Sequence, residues 1–118
     1  MKGYNKKGKT LYIIKTKQYI KEYKKKIINK HLVREQETIE LLEIALTECM
    51  NLKELIHSDV AITYNIKKKV GDLKEIYTAR INNKLRLYMK PVGEYPYRNE
   101  EIIEIEFRKI DDKHYGEG

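Results

Sequence analysis

Between Tyr77 and Lys90 two short runs alternate apolar and polar residues, and the alternation admits one pairing. Tyr77, Ala79 and Ile81 share one face of the first run, while Leu85, Leu87 and Met89 share one face of the second. Thr78 and Arg80, with Arg86, Tyr88 and Lys90, take the opposite face. A three-residue loop of Asn82, Asn83 and Lys84 sets Ile81 opposite Leu85, Ala79 opposite Leu87 and Thr78 opposite Tyr88. A two-residue loop pairs Arg80 with Leu85 and mixes the faces, which a half-buried sheet does not tolerate. Asparagine suits such a loop because it accepts left-handed backbone. In this register Arg80 lies across from Arg86. Facing like charges destabilise a strand pair, so opposed guanidiniums point to a site for an anion, phosphate first. Two solvated strand arginines are the plainer alternative.

Around the hairpin the chain divides simply. Residues 1–10 are polar and rich in Lys and Gly, as expected of a flexible N-terminal tail, and residues 11–118 form one domain. Leu11 to Lys15 is strand-like. From Lys17, Ile20, Tyr23, Ile27 and His31 or Leu32 recur at helical spacing over a lysine-rich face. A second helix is expected from Glu35 to Met50, with Ile39, Leu42, Leu46 and Cys49 as its stripe, widened by Leu41 and Ala45. Glu35, Glu37 and Glu40 favour its N-terminal end. Residues 51–70 read as an irregular connection with at most one short helix. Pro91 to Tyr97 reads as a loop, and Ile102 to Phe107 as a last strand with Ile103, Ile105 and Phe107 inward. The expected fold class is α+β: two N-terminal helices packed on one face of a small, mostly antiparallel sheet.

Charge is uneven along the chain. The total is +7 at neutral pH, but residues 1–34 carry a net +11, residues 35–54 a net −5, residues 55–90 a net +5 and residues 91–118 a net −4. A polyanion partner fits the basic N-terminal third, and so does a proteome rich in lysine. The single cysteine, Cys49, excludes an internal disulfide and a thiolate metal cluster. No run approaches the ~18–20 apolar residues of a membrane span, and Leu11 to Ile14 is too short for a signal-peptide core. No membrane partner is expected, and the cytoplasm is the expected location.

Gly3 to Thr10 matches the letters of a phosphate-binding P-loop, G-x-x-x-x-G-K-T. That loop works only between a buried strand and the start of a helix, where backbone N–H groups converge on the phosphates. Here Met1 and Lys2 precede the first glycine and a strand-like run follows, so nucleotide binding is not expected. His31, His57 and His114 are not spaced as a metal set. His31 ends a helix, and His57 belongs to the connecting segment, in the site or on the surface.

The ordered set Gly71-Asp72-Leu73-Lys74, Tyr77, Arg80-Ile81-Asn82 and Leu85-Arg86-Leu87, ending in Ile110-Asp111-Asp112-Lys113-His114-Tyr115, resembles the RelE/ParE superfamily of type II toxins. The likeness covers roughly the last fifty residues and extends to the earlier helices only in layout. It implies a RelE-like fold and metal-independent cleavage of messenger RNA on the ribosome, with no cofactor. It also implies a cognate antitoxin, and the arginine face with the lysine-rich first helix leads us to expect an acidic toxin-binding segment in it. The RNA supplies its own 2′-hydroxyl nucleophile. The protein removes that proton, neutralises the charge building on phosphorus and protonates the departing 5′-oxygen.

Carried over by position, Arg86 clamps the phosphate and Arg80 occupies a catalytic basic position. His114 serves as acid or base, and Tyr115 stacks on a base or handles protons. Lys67, Lys69, Lys74 and Tyr88 are the expected substrate contacts. The chain departs from the pattern at the general base, because Lys67, Lys68 and Lys69 stand where one active subgroup has a glutamate. A lysine, His57 or His114 is then left for that task. The alternatives are the gyrase-poisoning, ParE-like branch without nuclease activity, and a non-catalytic basic nucleic-acid-binding protein.

Overall fold

A computed structural model of the chain describes residues 10–112. Most of the N-terminal tail and its P-loop-like letters, together with His114 and Tyr115, lie outside the described residues. Strand β1, Tyr12–Lys15, is followed by helix α1, Lys17–Tyr23. Thr16 fixes the junction: its hydroxyl accepts from the Tyr19 amide at 3.2 Å and donates to the Phe107 carbonyl at 2.8 Å. The end of α1 widens into a π-helical turn, Lys24–Ile28, with Asn29 N–H bonded to Lys24 O at 2.8 Å. The wider turn suits a four-residue spacing, so Tyr19 and Ile27 are buried, Tyr23 partly so, and the predicted Ile20 is 54 % exposed. His31 takes a left-handed conformation and sits on the surface.

Helix α2, Val33–Thr47, buries Ile39, Leu42 and Leu46, and Cys49 follows them into the core. Leu41, expected to widen that stripe, faces outward. The connection after it is more ordered than the sequence suggests, with α3 at Leu52–Ile56 and α4 at Asp59–Thr63. Asn51 and Ser58 cap these two helices with their side-chain oxygens. Leu52 and Leu55 anchor α3 in the core.

Five strands form one sheet in the order β1-β5-β4-β3-β2, where β2 is Lys67–Lys68, β3 Tyr77–Arg80, β4 Arg86–Pro91 and β5 Glu104–Asp111. β1 runs parallel to β5 and every other pair is antiparallel. The expected α+β class therefore holds, with β2 and two short helices added. No helix among the described residues is long and apolar enough to cross a membrane.

The hairpin register is the one the alternation demanded, with Thr78 opposite Tyr88, Ala79 opposite Leu87 and Arg80 opposite Arg86. The loop closes differently from the expectation. Its residues do not use left-handed backbone, which among the described non-glycine residues belongs to His31 and Asn65. Instead the Asn82 side-chain oxygen accepts from the amides of Lys84 and Leu85, each at 2.7 Å.

The last strand also runs further than predicted. Tyr88 pairs with Lys109 while Met89 pairs with Phe107, so one residue bulges out and the two-residue alternation skips a beat. The bulge lets both Phe107 and Ile110 reach the core, whereas Ile103, expected inward, is 41 % exposed.

Candidate nucleic-acid interface

The helices and the inward residues Ala79, Leu87, Met89, Ile105, Phe107 and Ile110 make one core. The opposite face of the hairpin carries a groove of about 360 Å³, lined by Asn65, Lys67, Lys68, Lys69, Val70, Thr78, Arg86 and Tyr88. Its wall is the strand that the alternation pattern could not reveal. Asn65 turns left-handed at φ 50° and sends the chain from α4 into β2, which then pairs with β3. Gly71, at φ 74°, turns it back into the hairpin; space is not the constraint there, only the dihedral angle.

Among the predicted site residues, the fold gathers Arg86, Lys67, Lys69 and Tyr88 into this groove. Arg80 stands beside it, exposed and directly across from Arg86, its guanidinium donating to the Asn83 side-chain oxygen. Arg86 is half-buried and donates to the backbone carbonyls of Asn82 at 2.8 Å and Leu85 at 3.2 Å. Partial burial, and then the charge of Arg80, hold its guanidinium below the usual arginine value. The cations of the groove thus crowd one another, and a bound anion relieves that repulsion. Lys74 goes elsewhere, its ammonium 5.6 Å from the centre of the Tyr95 ring in the β4–β5 loop. His57 is exposed at the end of α3 and is not among the residues lining the groove.

Tyr88 lies on the outward face, as the alternation requires. It is only 8 % exposed on the polar face, because the ammonium groups of Lys69 and Lys109 lie 5.4 Å and 4.8 Å from its ring centre. Its hydroxyl donates to the Asp111 carboxylate at 2.9 Å. Asp111 in turn is the register partner of Arg86. Sequence reasoning passed over Lys109 and Asp111 as site residues, since only the bulge brings them opposite Tyr88 and Arg86. Asn65 carried a legible signal, an asparagine at the foot of a helix leading into a basic run.

The architecture is RelE-like: two N-terminal helices and shorter ones over a mixed five-stranded sheet whose other face bears the basic groove. Among solved structures it resembles YafQ from E. coli strain BL21(DE3), with a TM-score of 0.58 over 87 % of this chain and 93 % of that one, at 13 % sequence identity. A histidine-to-glutamine mutant of E. coli YafQ aligns with a TM-score of 0.55 at 14 % identity, over the same shares of the two chains. No family model matches the sequence. No curated protein matches it either.

Proposed function

We propose that this protein is the toxin of a type II toxin-antitoxin system, of the RelE family, and that it inhibits translation by cutting messenger RNA on the ribosome. One observation carries the reading: opposed Arg80 and Arg86, next to a lysine-lined groove, on a fold shared with YafQ, itself a RelE-family type II toxin. An arginine's forked donors match two phosphate oxygens, so Arg86 swings from its backbone carbonyls onto the scissile phosphate, and Arg80 adds charge from across the strand pair. Stabilising the charge that builds on phosphorus is the largest service a protein renders this reaction. Lys67 and Lys69 hold neighbouring phosphates, Tyr88 shapes the floor, and Lys74 meets the strand further along. His114 and Tyr115 keep the roles the family resemblance gives them, proton transfer and base stacking.

The same positive face suits an antitoxin segment rich in Asp and Glu, which blocks the groove while bound. Purified chain added to a translating extract tests the reading. Cleaved message with unaffected DNA supercoiling is the expected outcome. Inhibited supercoiling with intact message places the protein in the gyrase-poisoning branch instead, and neither effect leaves a binding module.

A further inference from the structure

Cleavage through the 2′-hydroxyl needs a group that accepts its proton, and among the described residues the groove lining offers no carboxylate or imidazole. Lys67, Lys68 and Lys69 present ammonium groups, which are donors without an acceptor site. Arg86 never accepts a proton. Thr78 and Asn65 are neutral and very weakly basic. A carboxylate acceptor bonded to the groove lining comes from β5, one strand further along the sheet. Asp111 stands opposite Arg86 in register, and its carboxylate takes the hydroxyl hydrogen of groove-lining Tyr88 at 2.9 Å.

Resting on the nuclease reading above, the geometry points to Asp111 as the general base and to Tyr88 as the residue that positions it. The arrangement has the parts such a base requires. A carboxylate accepts at both oxygens, and the bond from Tyr88 fixes the orientation of the group through Oδ2. Tyr88 is in turn held by burial and by the ammonium groups of Lys69 and Lys109 against its ring.

The phosphate clamp and the base then sit on neighbouring strands at one register position, as an in-line attack on a held phosphate demands. In the step itself the 2′-oxygen forms its bond to phosphorus while its proton passes to Asp111. The bond from phosphorus to the 5′-oxygen breaks, and the leaving oxygen takes a proton from a protonated general acid. The proton on Asp111 returns to water after the product leaves. Among the described residues, the charged and titratable groups around Asp111 include Tyr88 and Arg86 on β4, Lys109 on its own strand and Lys69 after β2. Asp112 is its chain neighbour, and Lys26 lies 3.8 Å from Asp112, beside Glu22.

Single-turnover cleavage of ribosome-bound message across pH tests the assignment, with RNA affinity measured in parallel. Asp111→Asn keeps an acceptor for the Tyr88 hydroxyl, so the fold survives. Cleavage is expected to fall by about a hundredfold or more, the scale of losing a general base, with RNA affinity unchanged. The parent rate should decline toward acid pH as the carboxylate takes up a proton, and that acid limb should vanish in Asp111→Asn. Asp111→Glu should recover part of the rate and keep the limb, which separates a proton acceptor from a structural anchor and also serves if the Asn variant misfolds. Tyr88→Phe should cost about tenfold and retain the limb, as befits a positioning residue. An Asn variant with the parent's rate and pH profile overturns the base while leaving the nuclease reading intact. An Asp111→Glu variant without the acid limb overturns it as well. A parent chain that cleaves no RNA overturns both.

Discussion

The two faces of the hairpin obey different physics although they alternate residue by residue. Inward, Ala79 and Leu87 are fully buried and Met89 nearly so, packed with Phe107 and Ile110 under α1 and α2. Outward, the same strands offer Arg86 and Tyr88 to a groove walled by lysines, with Arg80 beside it. The inner face is satisfied within the chain, since the core requires no charged partner and contains no buried charged residue among the described ones. The outer face is not. Its arginines oppose each other, and Arg86 donates to the backbone carbonyls of Asn82 and Leu85. A face built at some cost to stability is a face built for a ligand, and the difference predicts that stability and activity separate cleanly along the sheet.

The hardest test of that separation is Phe107→Ala. Phe107 is fully buried and meets the Tyr19 ring edge-on at 5.2 Å. Removing it leaves a cavity between sheet and helix and should cost about 3–5 kcal/mol, a large share of the ~5–15 kcal/mol that holds a domain of this size. Urea denaturation should show a much lower midpoint. A midpoint close to the parent's breaks the claim that this face carries the fold.

Arg86→Ala is the converse. The side chain forms two hydrogen bonds to backbone but also suffers the charge of Arg80. The net change in stability should stay within about 1 kcal/mol, while growth inhibition in cells is lost. A variant as toxic as the parent removes the phosphate clamp, and a variant that unfolds makes Arg86 part of the scaffold.

These two residues also mark how far the sequence could be read. Phe107 and the hairpin register follow from period-two alternation alone, because a slip of one residue would bury Arg80 and expose Ala79. The first two helices were legible from their apolar spacing, though the π-helical turn moved the buried face of α1 from Ile20 to Tyr19. Half of the groove was not legible. β2 is two lysines long, which no periodicity can mark, and its pairing with β3 depends on the left-handed Asn65. Asp111 was hidden by the bulge, since straight alternation from Phe107 assigns the wrong partners to everything after it. Core faces repeat and can be counted. A site assembled from strand ends, a turn and a bulge does not repeat.

The smallest expected effect concerns Tyr97, which belongs to neither face. Its hydroxyl donates to the Glu75 carbonyl at 2.8 Å and so ties the β4–β5 loop to the segment before β3. Burial first, and then the nearby Glu75 carboxylate, push its phenol up to about 12. Tyr97→Phe keeps the ring and deletes the bond, so it should cost about 1 kcal/mol at neutral pH and leave RNA cleavage unchanged. The pH dependence carries a definite sign. An unfolded tyrosine ionises near 10, so the fold favours the neutral phenol, and its contribution is complete below that value. It fades as pH rises toward about 12, where the folded phenol ionises as well. Tyr19, Tyr23 and Tyr77 are displaced in the same direction and weaken parent and variant alike. The gap between the two urea midpoints should therefore be constant from pH 7 to 9 and shrink by pH 11. A gap that stays constant to pH 11 means that the fold does not hold the phenol neutral.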